Sequence, residues 1–223
     1  MQPQADPFIV PPCDAQIGIR YRDEHLLLIN KPSGLLSLSG KHPLNIDSVH
    51  HRLVRDFPTA TLVHRLDFGT SGLLIVALNK TVNARLTQQF QAREVDKRYT
   101  ALLHGHLAQE QGVIELPIAK DPANFPLQKI CHQSGKMATT HYRVSERLAT
   151  PHATRVVFTP VTGRTHQLRI HSRELGHPIL GCDLYASDAA YFMAPRLMLH
   201  ACRIRFTHPI TGRPMDVGSP CDF

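Results

Sequence analysis

THYRVSERLATPHATRVVFTPV, residues 140–161, reads as two strands with no helical stretch between them. THYRVSERL (140–148) and ATRVVFTPV (153–161) are rich in β-branched and aromatic residues, which suit a pleated, half-buried surface. Strands that follow one another directly pair antiparallel, whereas a parallel pair needs a long crossover, usually a helix. This stretch therefore favours an α+β fold over a doubly wound one.

The same pattern extends outward. KRYTALLHGHL (97–107) and VIELPI (113–118) read as strands before it. After it, THQLRIHSREL (165–175) reads as a helix closed by Gly176, and PRLMLHACRIRF (195–206) as another strand. THPITGRP is a turn signal, and MDVG (215–218) completes a hairpin. In the N-terminal half, HLLLINK (25–31) is a strand that stops at KPSG, and GLLIVALN (72–79) is a buried strand. Asp47 is placed to cap a helix over 47–57, with Val49, Leu53 and Phe57 at helical spacing and Pro58 ending it. A second helix over 80–95 carries Val82, Leu86 and Phe90 on one face. Residues 1–16 read as an irregular Pro-rich arm. With no repeat, linker or low-complexity tract, residues 17–223 are expected to form one domain. The expected class is α+β, with a mixed, mostly antiparallel sheet and flanking helices and loops.

A chain of 223 residues that is 42% hydrophobic can bury a proper core. It contains no apolar run long enough to span a bilayer, and MQPQADPFIVPPCD lacks the features of a signal peptide. A soluble cytoplasmic protein is expected. The five cysteines are odd in number and widely spaced, which disfavours a disulfide framework and a cysteine zinc site. A formal charge of +7, with fifteen histidines in reserve, suits a polyanionic partner, nucleic acid first, or equally a merely soluble surface.

HRLDFGTSG (64–72) places Asp67 between a cationic pair, His64 and Arg65, and a small-residue turn that leads into the apolar strand. Asp before Gly, Thr and Ser is ordinary turn chemistry. The competing reading is an ionised carboxylate, held by nearby positive charge and available as nucleophile or general base. In TGRTHQLR (162–169), Thr165 is placed to cap a helix and Arg164 to lie just before its N-terminus, where an anion could dock or Arg164 could pair with a buried carboxylate. Solvated surface arginines are the commoner meaning. KRYT (97–100) puts Tyr99 beside two cations, able to stack on a base or simply to pack in the core. Histidine spacings do not support a metal site, and phosphate-cradling glycine loops are absent.

Taken together and in order, NKPSGLL (30–36), HRLDFGTSGLLIVA (64–77), TGRTHQLRIH with GHPILG (162–181) and PRLMLHACRIRFTHP (195–209) resemble the motifs of the RluA family of pseudouridine synthases. The resemblance covers nearly the whole chain and leaves no room for an additional N-terminal RNA-binding module. It implies a pseudouridine synthase fold and an isomerase that converts specific uridines to pseudouridine in structured RNA loops. The implied substrates are large-subunit (23S) rRNA and the tRNA anticodon stem-loop. No cofactor and no metal are implied, and a monomer is expected. The catalytic aspartate matches Asp67, the base-stacking tyrosine Tyr99 and the arginine that pairs with the aspartate Arg164. Arg65 matches the side chain that fills the gap left by the flipped nucleotide. A uridine must leave its stack before C1′ can be reached, at a cost of about a few kcal/mol. Attack of Asp67 on C1′ and removal of a ribose proton are both compatible with the motif. One departure is GCDLY, which places Cys182 where the family has aspartate, with Asp183 next to it. Two other functions compete: a catalytically silent RNA-binding or remodelling module, which the basic charge supports, and a base-excising N-glycosylase, which would release free uracil and leave an abasic site.

Overall fold

A computed structural model describes residues 8–223; the first seven residues of the expected arm lie outside the described residues. The chain divides into two compact units. One comprises residues up to Val95 together with Ile204–Pro220, and the other Asp96–Arg203 with Cys221–Phe223.

In the first unit, β1 (Gly18–Arg22) pairs with β2 (Leu26–Lys31), and β2 with β4 (Ser71–Ala77), both antiparallel. The two-residue β3 (Thr61–Leu62) runs antiparallel to the end of β4. All seven β4 residues are buried, as the unbroken apolar run GLLIVA demands. α2 (Lys80–Gln91) lays Val82 and Leu86 onto this sheet, with Phe90 partly covered in the same cluster as Leu28, Leu73 and Ile75. This is the face that the 3.6-residue spacing implies. The strand β10 (Leu199–Thr207) sends Ile204 and Phe206 into that core, and β11 (Pro214–Gly218) pairs with β10, so the expected hairpin is present.

In the second unit the strand order is β5 (Asp96–His104), β9 (Ala153–Pro160), β8 (Lys136–Leu148), β6 (Gln111–Lys120) and β7 (Gln128–Ile130), with every ladder antiparallel. Residues 140–161 form a hairpin that closes at Leu148 and Ala153. Ala138, Thr140, Tyr142 and Val144 of β8 and Val156 and Phe158 of β9 point to one core, the period-2 alternation of a sheet with one covered face. α3 (Gln167–Glu174) and α4 (Asp188–Phe192) complete this unit. The α+β reading, with a mostly antiparallel sheet and few helices, is borne out. β1, β3, β7 and α4 are additions to the elements expected from the sequence.

The cap of the first helix differs from expectation. The helix α1 (Val49–Leu53) is capped by Ser48, whose hydroxyl accepts from His51 N at 3.1 Å. Asp47 instead accepts two bonds from Arg52, at 2.7 and 2.6 Å. Arg52 also donates to the carbonyls of Cys13 and Ala15, so it secures the arm that precedes β1.

Asp23 organises the turn between β1 and β2. It accepts bonds from His25 N, Leu26 N, the Tyr21 hydroxyl and His208 Nε2, all between 2.8 and 2.9 Å. These bonds outweigh its burial and hold the carboxyl down to about 2. A carboxylate lowered in the fold stabilises it above the unfolded value of about 3.9, and that stability is lost as pH falls through about 2. Asp23→Asn is therefore expected to lower unfolding free energy by about 2 kcal/mol at pH 7. Between pH 4 and 2 the variant should lose less stability than the wild type. Urea melts of both proteins across that range check this.

Candidate active site

Asp67 sits half-buried in the loop between β3 and β4, and Arg65, two residues earlier, is exposed. A tight turn follows Asp67, with Thr70 N donating to Asp67 O at 3.1 Å. Gly72 enters β4 at φ 115°, a left-handed value that a side chain would strain.

What holds this loop is the segment 31–37. The Ser37 hydroxyl donates to Leu66 O at 2.7 Å and accepts from Leu66 N at 3.1 Å. Ser33 Oγ donates to Gly69 O at 2.6 Å, and Gly34 N to Phe68 O at 3.0 Å. Lys31 is fully buried, and its ammonium donates to Pro32 O, Leu35 O and Phe68 O at 2.9, 2.7 and 3.1 Å. The carbonyls on either side of Asp67 are thus fixed by side chains of one preceding segment. Burial brings the Lys31 ammonium down to about 7, opposed by the charge of Asp67. The NKPSGLL stretch therefore both frames the Asp67 loop and places a cation near it.

Lys31 was not among the expected site residues, because a lysine at the end of a strand ordinarily reaches water. Its three donors match three inward carbonyls, which is the signal the turn KPSG conceals. His64 differs from expectation in the opposite sense. Its Nε2 accepts from Ile75 N at 3.1 Å, and its ring packs on Phe90 at 4.8 Å. A nitrogen that accepts a hydrogen bond carries no proton, so His64 is neutral there and anchors the loop to β4. The positive charge assigned to His64 belongs to Lys31.

Tyr99 and Arg164 belong to the second unit. Tyr99 lies on β5 opposite Phe158 of β9, half-buried at the margin of the core. Arg164 is exposed in the TGR turn before α3, its Nε 3.4 Å from Met137 O. The turn is held by Gln167, which is buried. Its Oε1 accepts from Thr162 Oγ1 at 2.8 Å and Arg164 N at 2.9 Å, and its Nε2 donates to Thr139 O and Thr140 Oγ1. The cap of α3 is His166 and not Thr165; His166 adopts φ 56° and bonds the Tyr185 hydroxyl through Nδ1 at 2.7 Å. Lys97 also belongs to this corner. Its Nζ is 3.9 Å from where a Cβ on Gly163 would stand, and burial lowers its pKa.

Arg169, in the first turn of α3, is committed inward. It is buried, pairs with Asp183, donates from Nε to Cys182 Sγ at 3.3 Å and lies over the Tyr185 ring at 5.2 Å. The departure at GCDLY is thereby resolved. Asp183 takes the ion pair, and the Cys182 sulfur accepts the second guanidinium bond. His171 is fully buried, burial lowers it to about 4, and it bonds Thr140.

Among the described residues there is no group of three His, Cys, Asp or Glu side chains that could hold a metal ion, and no helix is long and apolar enough to cross a membrane. The five cysteines are free thiols.

Residues 25–174 match the family described as RNA pseudouridylate synthase. Over 213 residues the chain is 47% identical to the dual-specificity RNA pseudouridine synthase RluA of Escherichia coli K12, covering 96% of this chain and 97% of that protein. The protein of the same name from Yersinia pestis is 49% identical over 205 residues, covering 92% and 99%. Among solved structures, human RNA pseudouridylate synthase domain containing 1 superposes with a TM-score of 0.79 at 31% identity, over 94% of this chain and 85% of that one.

Proposed function

Since the chain belongs to the RNA pseudouridylate synthase family and is an isomerase acting on RNA, we propose that its substrates are uridines in loops of 23S rRNA and of the tRNA anticodon stem. The dual specificity named for its bacterial relatives supports two substrate classes. Asp67 is the catalytic residue in this reading. The observation that carries it is the frame around the loop. A half-exposed carboxylate is held by side-chain bonds to Leu66, Phe68 and Gly69, with a buried cation near it. Such a carboxylate is pre-positioned, as an initiating group requires.

The reaction keeps every heavy atom of the base. Asp67 initiates cleavage of the C1′–N1 bond, the uracil turns, and a C1′–C5 bond forms. The hydrogen on C5 leaves to solvent, and N1 takes up a proton. Hydrolytic cleavage of a glycoside uses two carboxylates and a water, whereas here the leaving base is also the incoming nucleophile. One carboxylate suffices. Arg65, Tyr99 and Arg164 bind the substrate: Arg65 occupies the gap in the helix, Tyr99 packs on the extruded uracil, and Arg164 supplies a planar cation. The enzyme works as a monomer in the cytoplasm, without metal or cofactor.

Release of tritium from C5-labelled uridine in an anticodon stem-loop or a 23S loop transcript tests the reading. Absence of release from both would count against it. Arg65→Ala should reduce kcat/KM about tenfold to a hundredfold on a closed stem-loop. It should have little effect on an open single strand, where no stack must be broken. Equal losses on the two RNAs would remove the wedge role.

A further inference from the structure

The first unit presents an apolar surface that the chemistry of Asp67 does not use. Phe8, Ile9, Leu38, Leu44 and Ile46 are large apolar residues that are 47–66% exposed. They come from two short segments joined through one buried residue, Asn45. Its side chain donates to Phe8 O at 2.7 Å and accepts from Val10 N at 2.9 Å. Its backbone accepts from Gly40 N at 2.8 Å and donates to His42 O at 2.9 Å. Ser39 Oγ donates to Ile46 O at 2.7 Å. A Cβ on Gly40 would stand 2.8 Å from that of Asn45, so the loop can close this tightly only with glycine there. The loop is thus built inward on Asn45, which leaves Leu44 and Ile46 turned to solvent on either side.

This loop is tied directly to the catalytic turn. Leu38 follows Ser37, which exchanges two hydrogen bonds with Leu66, the residue before Asp67. Phe8 meets the ring of Phe68, the residue after Asp67, edge to face at 6.4 Å. Lys41 and Arg65 are exposed cations on the same framework, and no acidic residue occurs between Leu36 and Ile46. Exposed apolar side chains grouped in this way mark an interaction surface. Asp47, which follows Ile46, is taken up by Arg52, so the loop itself presents positive charge, which suits a polyanion better than a second copy of this chain.

We propose that the 38–46 loop, with Phe8 and Ile9 beside it, is a specificity surface that packs against the unstacked bases flanking the target uridine. The inference rests on the proposed action on uridine in RNA loops. Extruding one nucleotide exposes the faces of its neighbours, and RNA loops are read through such splayed bases, with packing side chains framed by positive charge.

The test is the double variant Leu44→Ser/Ile46→Ser, whose wild-type side chains are 66% and 55% exposed and contribute little to the fold. KM for a stem-loop transcript should rise roughly tenfold, while kcat at saturating RNA and the melting temperature stay unchanged. The salt dependence of binding should keep its slope, because no phosphate contact is removed. An unchanged KM alongside an active wild-type enzyme overturns the surface and leaves the proposed function standing. A wild-type dimer that becomes monomeric in the variant with KM unchanged also overturns it, assigning the face to a second copy. Lack of turnover by the wild type on any RNA removes the functional reading, and the surface assignment with it.

Discussion

Asp67→Asn is expected to abolish tritium release from C5-labelled uridine, lowering kcat by roughly four orders of magnitude or more, while RNA binding survives. The amide is nearly isosteric with the carboxylate, and side-chain bonds to backbone atoms of Leu66, Phe68 and Gly69 shape the loop. The fold and the turn should therefore persist, as an unchanged melting temperature and Kd would show. What is lost is negative charge, and with it the capacity to act as nucleophile or base at the ribose. Turnover retained within tenfold of wild type would remove Asp67 from its role. Loss of binding together with turnover would point instead to a structural aspartate.

Lys31→Met carries the second largest expected effect. Methionine fills the buried space but donates to none of Pro32 O, Leu35 O and Phe68 O. A buried acceptor left without its donor costs about 1–3 kcal/mol, partly offset by removing a buried polar amine. A net destabilisation of about 3 kcal/mol is expected at pH 8. Because the Phe68 carbonyl is then free to move beside Asp67, kcat should fall about a hundredfold even in the folded protein. The pH dependence is distinctive. Burial brings Lys31 down to about 7 in the fold, so between pH 7 and the ordinary lysine value of about 10.4 the unfolded chain binds the proton and the folded chain does not. Stability from this site therefore rises with pH across that window. The gap between wild type and Lys31→Met in urea melts should widen from pH 7 to pH 10. A gap that is constant or narrows would show that burial does not lower the Lys31 ammonium in the fold.

Much of the fold was legible because it depends on local periodicity. The hairpin over 140–161 alternates buried and exposed residues as a two-residue period requires, and α2 buries Val82 and Leu86 as a 3.6-residue period requires. The Asp67 turn was legible as a turn, since HRLDFGTSG couples small residues to a buried strand. What escaped depends on which groups meet across the fold. A lysine after a strand looks solvated until three carbonyls are seen to converge on it. His64 looks cationic until Ile75 N–H is seen to occupy Nε2. The α3 cap shifts from Thr165 to His166 because the buried Gln167 satisfies the Thr162 hydroxyl and the Arg164 N–H and so draws the turn tight. Arg169 reads as a surface cation of a helix start but pairs with Asp183 and Cys182. In each case the side chain was visible in sequence and its partner was not.

The most direct test of the central claim is the nucleoside composition of an anticodon stem-loop transcript after incubation with the purified wild-type protein in chelator-treated buffer. The account predicts stoichiometric conversion of one uridine to pseudouridine, with an intact strand and no free uracil. Free uracil with an abasic site, or a digest in which every uridine remains unmodified while the RNA is bound, would contradict it.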